Sequence, residues 1–222
     1  MNKLYIAVIV VICLAFTQNR NDFDFKILNK SLKAGDSIMF DIKNNTKESY
    51  CFLIDISFSC VEYPEYYYKN SFFSPMIELY NKDNMQVNEL IFTNNGSTDF
   101  SKDEKSNGFN KILGISRSIC GNLKLFTIKP NEILHFKIPL SFVNYLDDNT
   151  FKYYVLKRNE YYLQINYLQG EKFINERLSK EKRDSISNKG IKFFNGQLKS
   201  NRVKLKINVE EYNTALLKLK KN

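Results

Sequence analysis

The stretch LKLFTIKPNEILHFKIPLSF, residues 123–142, constrains the fold more than any other part of the chain. Leu134, Phe136, Ile138, Leu140 and Phe142 fall at every second position, with His135, Lys137 and Ser141 between them. A two-residue period gives one buried face and one wet face, the pattern of a strand packed on one side. Residues 123–128 form a second apolar run, separated from the first by Lys129-Pro130-Asn131-Glu132. Pro130 presets φ for a tight turn and Asn131 tolerates the next corner, which predicts a hairpin.

The same alternation recurs along the chain. Ile38, Phe40 and Ile42 alternate with Met39, Asp41 and Lys43, and after the turn Asn44-Asn45-Thr46-Lys47 come Phe52, Ile54, Ile56 and Phe58. These two arms read as a second hairpin. Residues 26–32 are expected as an edge strand, and residues 76–80 and 87–92 as strands around Lys82-Asp83-Asn84. Residues 151–156 lead into Tyr161, Leu163, Ile165 and Tyr167, and Val203, Leu205, Ile207 and Val209 close the pattern. About nine or ten short strands at spacings of roughly ten residues predict an all-β sandwich or barrel, and the scarcity of Gly argues against a small closed barrel. Residues 171–187 are charged, with Phe173, Ile174, Leu178 and Ile186 at spacings that fit a short helix or a charged excursion. Residues 93–110 lose all periodicity and read as a long surface loop. Residues 210–222 read as a charged tail or frayed helix.

The first residues look like an address. Lys3 precedes an uncharged apolar run over residues 4–16, and Ala15-Phe16-Thr17 offers small residues to a signal peptidase. A signal peptide over residues 1–17 and a secreted or periplasmic protein are therefore expected. The rivals are an uncleaved anchor, for which the run is shorter than the ~20 residues a span needs, and lipid attachment at Cys13. Loss of Lys3 lowers the formal charge from +9 by one, leaving a basic domain open to weak polyanion contact. Cys51, Cys60 and Cys120 remain. If residues 51–60 were one strand, Cys51 and Cys60 would face opposite ways, leaving Cys60–Cys120 as the better pair; three small buried hydrophobes are the alternative.

Three pieces together resemble an immunoglobulin-like β-sandwich: the strand over residues 36–44 running into a polar turn, the Ile128-Lys129-Pro130-Asn131-Glu132 turn, and Ser200-Asn201-Arg202-Val203-Lys204-Leu205. Tyr161-Tyr162-Leu163-Gln164-Ile165 resembles the strand that carries a corner tyrosine in such domains. With its Asn, Lys, Ile and Phe bias, the chain is similar to secreted domains of flavobacterium-like bacteria over most of residues 24–209. The resemblance implies an antiparallel sandwich of about 7–10 strands and carries over no active residue. The chain has no Trp, so the Cys…Trp…Cys core of antibody domains is missing.

The chemistry-bearing residues are few. His135 is the single histidine and sits on the outward parity of its strand, which suits neither a zinc site nor a hydrolytic triad. The acidic pairs Asp147-Asp148 and Glu210-Glu211 lack calcium-loop spacing. No catalytic residue, metal or cofactor is expected. Two stretches could form a binding surface. Tyr63, Tyr66, Tyr67 and Tyr68 crowd a loop that also holds Phe72 and Phe73, able to offer amphipathic contact area or to cap the core. Lys199, Arg202, Lys204 and Lys206 would line up about 7 Å apart on one strand face. Such a row suits a polyanion, but it also serves as a soluble outer face, and no aromatic residue interleaves within the segment. The expected function is a non-enzymatic binding module outside the cytoplasm with an unknown protein or glycan partner. The alternative is a protease inhibitor of immunoglobulin-like fold that uses a cluster of loops. Specific nucleic-acid binding is not expected.

Overall fold

The computed structural model describes residues 22–55, 76–93, 112–117, 123–146 and 150–220. The architecture is all-β with several sheets packed on a common core. The first sheet holds β1 (Phe23–Ile27), β3 (Ser37–Asn44) and β9 (Ile133–Pro139), all antiparallel. In β3 the alternation works as the sequence predicts, with Ile38, Phe40 and Ile42 fully buried. A second sheet holds β4 (Ser49–Asp55), β8 (Leu123–Ile128) and β13 (Ile191–Phe193).

Neither expected hairpin forms. The two polar turns are present, but β3 pairs with β9 while β4 pairs with β8, so the chain passes from one sheet to another at each turn. Alternation cannot separate these cases, because both arms have an apolar face either way. What decides is that residues Cys51 to Asp55 of β4 are all buried, whereas a strand in a one-sided hairpin would leave every second residue wet. Buried Asn44 ties the two turns together. Its side chain donates to the Glu48 carbonyl at 2.6 Å and the Ile128 carbonyl at 3.3 Å, and accepts from the Thr46 amide at 3.0 Å. Its backbone accepts from Asn131 N–H at 2.8 Å, where Asn131 occupies the left-handed corner at φ 62°. Aromatic edges fill the space between the sheets: Phe23 meets Tyr50, Phe52 and Phe194, and Phe136 lies between Phe40 and Phe126.

The third sheet is built on β12 (Glu160–Gln169), the longest strand. One edge pairs antiparallel with β5 (Met76–Tyr80). The other edge takes β15 (Val203–Lys206) and then β14 (Gly196–Lys199) in succession. Between them Ser200 keeps the ladder satisfied, its N–H donating to the Ile165 carbonyl at 2.9 Å and its hydroxyl accepting from Ile165 N–H at 2.8 Å. Next to β15 runs β2 (Ser31–Lys33), in parallel. Asn201 then reaches the first sheet: its side chain accepts from Ile27 N–H at 2.7 Å and donates to the Ile27 carbonyl at 3.3 Å. At the start of β12 the Tyr161 hydroxyl accepts from the amides of Lys157 at 2.7 Å and Arg158 at 3.0 Å, fixing the corner by which the chain enters the strand.

A fourth sheet has the order β6 (Glu89–Thr93), β11 (Thr150–Tyr154), β10 (Val143–Tyr145), β7 (Ile115–Arg117). The charged stretch expected as a helix or excursion forms two short helices, α1 (Glu171–Arg177), which buries Phe173 and Ile174, and α2 (Lys180–Ser187), capped by the Ser179 side chain. The C-terminal stretch, expected as a charged tail or frayed helix, is the regular helix α3 (Val209–Leu219). Asn208 caps it, Glu210 and Glu211 in its first turn suit the helix dipole, and Tyr212, Ala215, Leu216 and Leu219 enter the core. Its apolar residues recur every three or four positions, the period of a helix with one buried face, and the Glu and Lys residues occupy the other face. No described helix is long and apolar enough to cross a membrane.

Candidate functional site

The parity of β15 turns Val203, Leu205 and Ile207 into the core and leaves Lys204 and Lys206 on the outer face. Neighbouring strands decide what stands beside them. Lys206 lies in register with Glu160 on β12 and with Lys33 on β2. Lys204 lies beside Tyr162, which in turn faces Tyr80 on β5. The outer face therefore carries cations on β2 and β15 and rings on β12 and β5. The β15 segment itself carries no aromatic residue, as its sequence shows; the rings beside the basic row come from neighbouring strands. Tyr80 and Tyr162 lie far from Lys204 in sequence, and only the strand pairing unites them.

The basic row is uneven. Lys204 Nζ sits 2.7 Å from Glu160 Oε2, and that bond raises the lysine's pKa. Arg202 precedes β15 and leaves the row altogether. Its guanidinium lies 3.7 Å from the centre of the Tyr80 ring, and its Nη1 donates to Asn84 Oδ1 at 2.7 Å. Asn84 can meet it there because it holds a left-handed conformation, φ 60°, in a turn organised by the Asn81 side chain, which accepts from the Asp83 and Met85 amides. The Tyr80 hydroxyl donates to Glu78 Oε2 at 2.8 Å, and burial together with Glu78 raises the phenol's pKa. Lys199 is exposed on β14, opposite Asn166 and past the Ser200 break, so it stands apart from Lys204 and Lys206.

The amides complete the face. Asn166 donates to Glu78 Oε1 at 3.3 Å and accepts from Gln197 Nε2 at 2.8 Å, while Gln164 Nε2 donates to the Ser200 carbonyl at 2.5 Å. Chemically this is a surface of oriented donors, acceptors, cations and half-exposed rings. A separate groove of about 610 Å³ runs between β1 and the β13–β14 connection, with Tyr50, Lys192 and Lys199 in its wall.

The other expected residues divide plainly. Tyr63, Tyr66, Tyr67 and Tyr68 lie outside the described residues, as do the 1–17 leader, Cys60, Cys120 and most of the 93–110 loop. The binding surface expected on the tyrosine loop therefore lies outside the described residues. Cys51 is a buried free thiol, and burial pushes it up to about 11. His135 is exposed on β9, its Nδ1 2.7 Å from Asp41 Oδ1 on the adjacent strand. The chain matches no protein-family model, no curated protein and no solved structure.

Proposed function

We propose that the chain is a non-enzymatic binding module acting outside the cytoplasm, with the outer face of the β5–β12–β15–β2 sheet as its binding surface and an immunoglobulin-like sandwich as its scaffold. The observation that carries the function is the preformed placement of Tyr162 between Lys204 and Tyr80, with Arg202 laid on the Tyr80 ring. Half-exposed tyrosines and a fixed guanidinium supply contact area at little entropic cost. The scaffold reading draws support from chain order. The order and pairing of β1, β3 and β9 are compatible with strands A, B and E of such a sandwich, and those of β5, β12 and β15 with C, F and G. The Tyr161 hydroxyl, bound to amides just upstream, stands where such domains carry their corner tyrosine. The extracellular assignment rests on the apolar run after Lys3.

The test is a panel of soluble neutral and acidic glycans and glycopeptides offered to the full chain and to Tyr162→Ala. Binding that falls about tenfold or more in the variant, at unchanged melting temperature, is the expected result. Binding indifferent to Tyr162, or no binding across the panel, contradicts the reading.

A further inference from the structure

We infer that the ligand of this face is an acidic polysaccharide whose charge is carried by carboxylates, a polyuronate. This inference rests on the binding-module reading and adds the ligand's chemistry. Charge complementarity is the first reason. Lys33 and Lys206 stand side by side in register on neighbouring strands, and like charges so placed destabilise a sheet unless an anion bridges them. Glu160 already takes Lys204, leaving Lys33, Lys206 and Arg202 for an incoming anion. The second reason is the state of Arg202. Its guanidinium is held by the Tyr80 ring and Asn84 before any ligand arrives, and it presents a planar fork that matches a carboxylate bidentately.

The third reason is Tyr162, whose half-exposed ring lies between the cations of β15 and Tyr80 and can pack against the C–H face of a sugar ring. Single-stranded nucleic acid fits worse: a base track needs successive free rings, and Tyr80 is already engaged by Arg202. An anionic membrane surface fits worse too, since Lys204 and Lys206 lie opposite Tyr162 and Glu160 of β12 rather than opposite apolar side chains that could enter the headgroup layer.

Polygalacturonate, its fully methyl-esterified form, a single-stranded oligonucleotide and vesicles of mixed phosphatidylglycerol and phosphatidylcholine test this by titration of the full chain. Two charge-matched variants accompany it, Lys33→Gln/Arg202→Gln/Lys206→Gln on the face and Lys172→Gln/Lys180→Gln/Lys182→Gln on α1 and α2, with melting temperatures confirming that both fold. Polygalacturonate should bind, weaken with added salt, and lose at least about tenfold affinity in the face variant but little in the helix variant. The inference is overturned by equal loss in both variants, by tighter binding of oligonucleotide or vesicles, or by no binding of polygalacturonate. Equal binding of the methyl ester with dependence on Tyr162 also overturns it, while leaving the binding-module reading intact. Silence across the glycan panel as well removes both.

Discussion

Two single side chains show chemistry settled at different ranges, one by backbone close by and one by strands distant in the chain. The Tyr161 hydroxyl satisfies the amides of Lys157 and Arg158 at a corner that would otherwise leave both without a protein partner. Tyr161→Phe keeps the ring and removes the acceptor, so it should cost about 1–3 kcal/mol in urea denaturation; no loss would show that water replaces the hydroxyl there. Cys51 is the second case. Its folded value of about 11 lies above the model-compound 9.0, so folding favours the neutral thiol. That contribution is complete below pH ~9 and is lost as pH rises toward ~11, at most roughly 2 kcal/mol. Buried Tyr167 and Tyr212 are also pushed upward and act in the same direction. Denaturation across this range should therefore show a steep fall for the native chain and a shallower one for Cys51→Ala. Parallel slopes would mean that the thiol does not feel its burial. A corner tyrosine in the stretch 161–165 is expected only from the resemblance, and the Tyr161 hydroxyl meets backbone close by. Burial of Cys51 is one alternative the sequence leaves open, but the covering of both faces of its strand is not legible there.

At the scale of elements, alternation found the strands and their inward faces but misjudged their partners. Each turn at residues 44–48 and 129–132 has hairpin chemistry, yet Asn44 binds both turns at once and the arms separate into different sheets. That outcome depends on pairing between β3 and β9 across a long stretch of chain, which no local pattern records. Asn201 is a similar long-range device, an amide that pairs with Ile27 as a strand would. Asn201→Ala should cost about 1–3 kcal/mol and raise hydrogen exchange at the Ile27 amide; protection at Ile27 equal to the native chain would contradict this role. Helix α3, expected as a charged tail or frayed helix, packs one face into the core. Because Leu219 is fully buried in the core, Leu219→Ala should cost about 2–5 kcal/mol, whereas a dispensable tail would lose almost nothing in the same denaturation experiment.

For the whole molecule, half of the candidate site could be read from the sequence and half could not. The segment around Lys204 and Lys206 announces a basic strand face by its alternation, and the structure keeps that parity. The rings that give the face its character come from β5 and β12, and Arg202 leaves its own row to lie on one of them. A surface assembled from strands this distant in sequence has no linear signature. The account's central claim is that ligand engages this outer face. Amide and side-chain NMR shifts of the full chain during titration with polygalacturonate measure it most directly. The account predicts saturable shifts clustered at Lys33, Tyr80, Tyr162, Arg202, Lys204 and Lys206. Saturable shifts centred instead on the β1–β3–β9 face around Asp41 and His135 would contradict it.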